Sequence, residues 1–334
     1  MGLGRRLLDA AGLLRAGHNT AGFHLADASP GLQTKVRGII MKRTALALIA
    51  LMMAGNASAE GVRRVWVEGH RGSRGTHPEN TIPAFEEALR AGVDVLEFDL
   101  GVTKDNIVVV SHDPYVSPVI CLGPGGKKLA SPVAIRSLTL KELKEYDCGS
   151  LKNPRFPEQT PVPGTRVPTL DEVLSYVKAS NHPAAARVRF NIETKLSPGE
   201  PELAPAPAEF ARLVSSVLKK HGVERRTVVQ SFDYRTLLEM KKIAPAVKTA
   251  QLTADNLLDP DSVVRGSRAD IWSPYFKWIN GDIVKKAQKS GIQVVPWTLN
   301  SEEEWDRAVS YGVDGIITDY PAKLIDHLKK KKLR

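Results

Sequence analysis

The sequence contains no apolar run that would span a bilayer comfortably. Its most apolar stretch, residues 44–53, is shorter than the roughly 20 residues of a transmembrane helix. The residue directly after the small-residue segment at 55–59 is Glu60 and not cysteine, so the usual attachment point of a lipid anchor is missing too. We therefore expect no stable membrane insertion, with an uncleaved anchor as the alternative interpretation of the apolar stretch.

Positive charge is plentiful but not concentrated. The formal net charge is +10 over 334 residues, and residues 1–59 contribute seven Lys or Arg and two Asp, which is +5. The other +5 is spread over residues 60–334, which is too dilute to predict a polyanionic partner such as nucleic acid. The sequence also has no internal repeat and no low-complexity stretch.

Cysteine is scarce as well. Cys121 and Cys148 are the only two, and both lie in one stretch between predicted strands. In an oxidising compartment they could form a disulfide that closes this stretch. Two free thiols are the alternative, because pairing cannot be deduced from spacing.

A secretory signal precedes the predicted domain. Met41-Lys42-Arg43 is followed by the apolar stretch 44–53 and by small residues that end at Ala59, which is the pattern of a signal peptide over residues 41–59. We expect cleavage after Ala59 and a periplasmic or secreted protein. Because such signals normally begin at the N-terminus, residues 1–40 are predicted to be a non-native or disordered extension.

From residue 60 onward, short β-branched or apolar runs alternate with helical patterns, which is typical of parallel sheets built from βα units. Eight strand sites with helices between them predict an α/β fold, a TIM (β/α)8 barrel, over residues 60–334. The predicted strands are 64–69, 94–100 (followed by 107–111), 187–193, 227–231, 247–251, 269–272, 292–296 and 314–318.

Two segments between the strands are informative. Ile82, Phe85 and Leu89 recur at helical spacing after capping residues, and Gly92 can end this helix. Residues 114–170 break the rhythm, because they are rich in Pro, Gly and Lys and are longer than a usual βα loop. We expect them to form a small inserted cap after the second strand, over the mouth of the barrel.

Three acidic residues are predicted to face the barrel interior. Side chains alternate along a strand, so Glu97 and Asp99 share the face opposite Leu96, Phe98 and Leu100. The same alternation turns Glu193 inward on a later strand, beside Asn191 and Lys195. Burying such carboxylates is costly, and their oxygens suit a hard cation, Ca²⁺ or Mg²⁺, better than zinc. An ordinary interior network of acids with Arg and Lys is the alternative.

Two histidines follow predicted strands. His70 comes directly after the first strand, and His112 follows the apolar run 107–110. In barrel enzymes the chemistry lies at the C-terminal ends of the strands. Because imidazole titrates near neutral pH, His70 and His112 are predicted to act as a catalytic acid and base. A structural role is the alternative for either histidine taken alone.

These motifs resemble the glycerophosphodiester phosphodiesterase family, and the resemblance covers residues 64–327. One departure is Glu68, which stands where an apolar residue is commoner in the family. The segments that carry the resemblance are His70-Arg71-Gly72, Pro78-Glu79-Asn80-Thr81, Gly92 to Asp99, Thr103-Lys104-Asp105, His112-Asp113, Asn191 to Lys195, Gln230 to Asp233, Trp297 to Asn300, and Asp314 to Pro321.

The resemblance implies roles for particular residues. Glu97, Asp99 and Glu193 would hold one divalent cation, and His70 and His112 would be the general acid and base. Arg71 and Lys195 would bind the phosphate. Trp297 would pack against the carbons of the glycerol or head group, with core packing as its alternative role.

The implied reaction is metal-dependent hydrolysis of a glycerophosphodiester, a small-molecule substrate, to sn-glycerol 3-phosphate and an alcohol. One alternative is a lysophospholipase D-type phosphodiesterase on the same scaffold. Another is a periplasmic protein that binds phosphate esters without catalysis. Activity confined to acylated substrates would favour the first alternative, and turnover of glycerophosphocholine would exclude the second.

Overall fold

A computed structural model describes residues 64–255 and 259–334. The predicted extension at 1–40 and the predicted signal peptide at 41–59 lie outside the described residues. None of the described helices combines the length and the apolar character needed to traverse a bilayer.

Eight parallel strands form a barrel, as predicted. The described strands are β1 (Trp66–Gly69), β2 (Val95–Val102), β3 (Val108–Val110), β4 (Tyr115–Val116), β5 (Val133–Ala134), β6 (Arg189–Thr194), β7 (Thr227–Ser231), β8 (Lys248–Thr253), β9 (Ile271–Pro274), β10 (Gln293–Val294) and β11 (Gly315–Thr318). The order of the barrel strands is β10-β9-β8-β7-β6-β2-β1-β11, and β3 pairs antiparallel with β2. Backbone hydrogen bonds join the two ends of this order, from Asp314 N to Val294 O (2.9 Å) and from Ile317 N to Pro296 O (3.1 Å).

Helices cover the outside of the barrel, and local sequence sets their ends. The Thr81 side chain caps the first helix by accepting from Ala84 N, and Gly92 ends it in the left-handed conformation (φ 87°). The predicted start and end of this helix are confirmed. The described α-helices are α1 (Ile82–Ala91), α2 (Leu140–Leu143), α3 (Leu170–Ala179), α4 (Pro207–His221), α5 (Tyr234–Ile243), α6 (Pro260–Ser267), α7 (Gly281–Lys289), α8 (Glu302–Tyr311) and α9 (Pro321–Lys330).

The interior of the barrel is divided into an apolar side and a polar side. On β7 to β11, inward residues such as Val228, Ala250 and Ile317 form a small apolar cluster. On β1, β2 and β6 most of the buried inward residues are polar, and Glu97 and Glu193 are two of them. Outward residues of the same strands pack against the helices in the main core. The polar groups are therefore concentrated on these three neighbouring strands and on the adjoining Gln230 of β7.

The segment between β3 and α3 forms the inserted region. It contains β4, β5 and α2 and has a small apolar core of its own, which includes Val116, Ile135 and Leu143. Cys121 and Cys148 are joined by a disulfide inside this core, so of the two alternatives the structure has the bonded one. Arg155 and Phe156 reach from this region into the wall of the cavity at the barrel mouth.

The disulfide should contribute measurably to stability. Cross-linking residues that are 27 apart restricts the unfolded chain, so the variant with both Cys121→Ser and Cys148→Ser should lose about 2–4 kcal/mol of unfolding free energy. Urea unfolding followed by circular dichroism measures the loss. Reduced wild type is the matched control and should unfold like the double variant, because the chain has no other cysteine. Equal midpoints for the oxidised wild type and the double variant would contradict the expectation.

Candidate active site

Three carboxylates meet inside the barrel at the C-terminal ends of β2 and β6. Asp99 pairs in register with Glu193, and Glu97 lies two residues earlier on the same face of β2. One oxygen from each of Glu97, Asp99 and Glu193 lies within 4.8 Å of the others, and all three residues are buried. The structure therefore brings together the three predicted metal ligands.

The electrostatics of this cluster fit a bound cation. Burial, together with the charge of Asp99, raises the pKa of Glu97 well above its usual range. Burial also raises the pKa of Glu193 to about 7, although Lys195 acts to lower it. Burial acts to raise the pKa of Asp99 too, but Lys195 and the other nearby cations hold it well below its usual range. The electrostatic repulsion among carboxylates this close decreases when their oxygens coordinate one divalent cation.

One oxygen of the cluster lacks a hydrogen bond. Asp99 Oδ1 is buried and receives none from the described part of the chain, and its near neighbour is Lys195 Nζ at 3.3 Å. A buried carboxylate oxygen normally accepts hydrogen bonds or coordinates an ion. The donor set is all oxygen, which suits Ca²⁺ or Mg²⁺.

Neutral side chains and a backbone amide orient the carboxylates. Gln230 Nε2 donates to Glu97 Oε1 (2.7 Å), and Arg71 N donates to Glu97 Oε2 (2.8 Å). Asn80 Nδ2 donates to Asp99 Oδ2 (2.9 Å). These contacts hold both oxygens of Glu97 and one oxygen of Asp99 in place. Such supporting contacts strengthen metal sites because they hold the ligands in place before the ion binds.

The turn after β1 makes the Arg71 contact possible. Arg71 and Asn80 both have positive φ, 49° and 58°, and Gly72 has φ 85°. A Cβ at Gly72 would lie 2.7 Å from the backbone carbon of Ala84, so the close approach of this turn to α1 requires glycine. The strained turn aims the Arg71 amide at Glu97.

Arg71 and Lys195 both lie beside the carboxylates. The Arg71 guanidinium pairs with Glu79 (2.6 Å), and its Nε is 3.4 Å from Asp99 Oδ2. Lys195 Nζ is 2.8 Å from Glu193 Oε1. Ion pairing of the acids with Arg and Lys, the alternative weighed from the sequence, is thus present alongside the cation-binding geometry. Both cations also line the cavity at the barrel mouth, where an anionic group could contact them.

The His70 ring is held by Asp319, which directly follows β11, the last strand. Its Nδ1 is 2.6 Å from Asp319 Oδ1, and its Nε2 is 4.0 Å from Glu97 Oε2. Burial lowers the pKa of His70 to about 4, against the raising effect of Asp319. The ring is therefore neutral at pH 7, and Asp319 selects the tautomer with the proton on Nδ1. The lone pair of Nε2 then faces the carboxylate cluster.

Asp319 is itself firmly positioned. Asn300 Nδ2 donates to its Oδ2 (2.7 Å), and Arg74 Nε lies 3.0 Å from its Oδ1. Although burial acts to raise the pKa of Asp319, His70 and Arg74 lower it to about 2. Asp319 stays ionised over the physiological range and can hold the His70 ring in one orientation.

His112 is the second predicted histidine at this site. It follows β3, its side chain is 33% exposed, and its Nδ1 is 2.7 Å from Asp113 Oδ1. His112 lines the same cavity as His70 and Glu97. The two predicted catalytic histidines thus line one cavity with Glu97 and Glu193, and His70 is nearly buried while His112 is partly exposed.

The cavity at the barrel mouth has a volume of about 400 Å³. Trp297 lies in its wall with its ring centroid 5.6 Å from Phe232 and 5.3 Å from Tyr275. Trp297 Nε1 donates to Ser273 O (2.9 Å), which fixes the ring. Trp297 therefore faces the cavity and is not confined to the core, and the lining of the cavity combines aromatic rings with charged side chains.

A family model for the glycerophosphoryl diester phosphodiesterase family matches residues 70–323. The chain belongs to this family. The match spans the barrel from His70 to the start of α9 and includes every predicted site residue. The expected class of enzyme and the TIM barrel are confirmed together.

Individual relatives agree with the family. A glycerophosphodiester phosphodiesterase from Caldanaerobacter subterraneus is 31% identical over 79% of this chain and 98% of its own. A solved structure from Silicibacter pomeroyi, assigned to the glycerophosphoryl diester phosphodiesterases, is 32% identical with a TM-score of 0.74, and it covers 81% of this chain and 97% of its own. A lysophospholipase D from Homo sapiens is 28% identical over 78% of this chain and 84% of its own.

Sequence reasoning missed the residues that support the phosphodiesterase site. Asp319, Asn300 and Gln230 lie inside segments that resemble the family, but no role was predicted for them. Arg74 lies outside those segments. The available signal was positional, because each of Asp319 and Gln230 lies at or just after the C-terminal end of a predicted strand.

Replacing Gln230 by leucine should weaken the binding of Ca²⁺ or Mg²⁺ by roughly 10- to 100-fold. The substitution removes the donor to Glu97 Oε1 and lets that carboxylate rotate. Isothermal titration calorimetry with each ion measures the change. Gln293→Leu is the matched control, because its amide contacts Lys248 at the start of β8 and should leave affinity unchanged. Wild-type affinity in a folded Gln230→Leu protein would contradict the assignment.

Proposed function

We propose that this protein hydrolyses glycerophosphodiesters to sn-glycerol 3-phosphate and an alcohol, with the help of one divalent cation. The observation that carries the proposal is that Glu97, Glu193, both histidines and the cations Arg71 and Lys195 line a single cavity. Barrel enzymes place their chemistry at this end of the strands. The names of the two bacterial relatives and the family match support the same reaction.

Glu97, Asp99 and Glu193 would hold the cation, Ca²⁺ or Mg²⁺. A bound divalent ion neutralises phosphate oxygens and makes a coordinated hydroxyl or water easier to deprotonate. The buried, hydrogen-bonded placement of these carboxylates supports this role, because preorganised ligands bind ions more tightly.

The remaining residues would act on the substrate directly. Arg71 and Lys195 would bind the phosphate oxygens and offset their charge in the transition state. One of His70 and His112 would remove the proton of the nucleophile, which is water or the glycerol hydroxyl of the substrate. The other would protonate the oxygen of the departing alcohol. When the glycerol hydroxyl is the nucleophile, this step leaves a cyclic glycerophosphate, and water would then open the ring to give sn-glycerol 3-phosphate. Trp297 would pack against the glycerol carbons.

The activity test measures release of glycerol 3-phosphate from glycerophosphocholine. Wild type should be active, should lose activity on chelation, and should recover it with Ca²⁺ or Mg²⁺. His112→Ala should lower kcat by roughly 10²–10⁴-fold, the usual contribution of a general acid or base. His182→Ala, in the loop before β6, is the matched control and should retain wild-type kcat. Full activity after chelation, or in His112→Ala, would overturn the proposed mechanism.

A lysophospholipase D-type reaction is the second candidate. The aromatic wall formed by Phe232, Tyr275 and Trp297 favours it, because such a wall could contact apolar substrate carbons. The name of the human relative favours it as well. In a parallel assay that measures choline, release from lysophosphatidylcholine but not from glycerophosphocholine would select this reaction. A protein that binds phosphate esters without turnover would release product from neither substrate.

We also propose that the mature protein begins at Glu60 and is periplasmic or secreted. The signal pattern at 41–59 supports this, and so does the Cys121–Cys148 disulfide, because disulfides persist in oxidising compartments. N-terminal sequencing of the protein exported by a bacterial host should begin at Glu60. A variant without residues 41–59 should stay inside the cell. An exported protein that starts at Met1 or Met41 would contradict the proposal.

A further inference from the structure

A second cavity lies beside the proposed active site. It has a volume of about 200 Å³, and His112 and Lys195 line both this cavity and the larger one at the barrel mouth. At about 30 Å³ for each water, the smaller cavity has space for roughly seven water molecules. We call it the side cavity.

One part of the side cavity's wall is apolar and well supported, and the rest is formed by polar residues that include His112, Lys195 and Ser197. Pro114 lines it from the inserted region, and Leu196, Leu203 and Ala204 line it from the segment after β6. Leu196 and Ala204 also pack against the main core. A short 3₁₀ turn at Pro201–Leu203, with Leu203 N donating to Glu200 O (3.1 Å), fixes this segment. The side cavity is therefore a formed recess and not merely a gap between loops.

Two carboxylates give the side cavity a negative rim. Asp113 is engaged by His112 at 2.7 Å, and the hydrogen bond from His112 lowers the pKa of Asp113. Glu200 is exposed at the edge of the cavity and has no ion-pair partner among residues 64–255 and 259–334. The nearby cation Lys195 is already shared by Asp99 and Glu193. A cationic group in the side cavity could therefore pair with Glu200 without displacing an ion pair of the protein.

The two cavities differ in the chemistry that they offer. The larger one presents polar groups such as Arg74 and Asn300 around its charged wall, which suits the hydroxyls of a glycerol unit. The side cavity presents aliphatic carbon and a carboxylate, which suits a small organic cation. The phosphate of a glycerophosphodiester is esterified to glycerol on one side and to the alcohol on the other. Because Lys195 lines both cavities, a phosphate that contacts Lys195 can place the glycerol in the larger cavity and the alcohol in the side cavity.

We propose that the side cavity binds the alcohol arm of the substrate and favours a cationic amino alcohol, such as ethanolamine or choline. This inference rests on the proposed function and adds a preference among glycerophosphodiesters. Glu200 supplies the charge, and Leu196, Leu203 and Ala204 supply contact with the methylene or methyl groups.

The test compares kcat/KM for three substrates that differ only in the alcohol: glycerophosphoethanolamine, glycerophosphocholine and glycerophosphoglycerol. Wild type should prefer the two cationic substrates. In Glu200→Gln the ratio of kcat/KM for either cationic substrate to that for glycerophosphoglycerol should fall roughly two- to fivefold, the size expected for an ion pair that solvent reaches. Leu203→Trp, which fills the recess, should lower kcat/KM for glycerophosphocholine more than for glycerophosphoethanolamine.

Glu202→Gln is the matched control. Glu202 lies on the same 3₁₀ turn and is exposed, but it does not line the side cavity, so the ratio should stay at the wild-type value. Turnover of all three substrates with the same ratio in wild type and Glu200→Gln would overturn this inference and leave the proposed function intact. Turnover of none by folded, metal-loaded wild type would overturn both.

Discussion

Much of the structure around the site depends on the repulsion among three buried carboxylates. Asp99 and Glu193 face each other across β2 and β6, and Glu97 lies on the same face. Such a group is stable only if cations, hydrogen-bond donors or a bound ion offset the charge. The positive-φ turn that delivers the Arg71 amide and the amide of Gln230 both serve this purpose.

The barrel provides a place where this arrangement can exist. The polar strands β1, β2 and β6 are neighbours in the sheet, so their inward side chains meet without interrupting the apolar packing of Val228, Ala250 and Ile317 on the other strands. Because β11 is the neighbour of β1, Asp319 comes beside His70 although 249 residues separate them. Closure of the barrel thus supplies the carboxylate that orients His70.

Strand alternation made a large part of the site predictable. The inward placement of Glu97, Asp99 and Glu193 follows from the period of two along a strand, and the placement of His70 and His112 follows from their position after a strand. The roles of Asn80 and Gln230 could not be predicted in this way. Their contacts with the carboxylates depend on a positive-φ turn and on the rotamer of a side chain from another strand.

The sequence by itself determined the eight βα units, the ends of helix α1 and the faces on which the acidic residues lie, because these depend on neighbours a few residues apart. Only the tertiary structure decided that Cys121 and Cys148 are bonded, that Asp319 holds His70 and that a second recess opens beside Lys195. Each of these features depends on residues that are far apart in the chain lying close together in space. Such distances are set by barrel closure and by the packing of the inserted region, which no local pattern encodes.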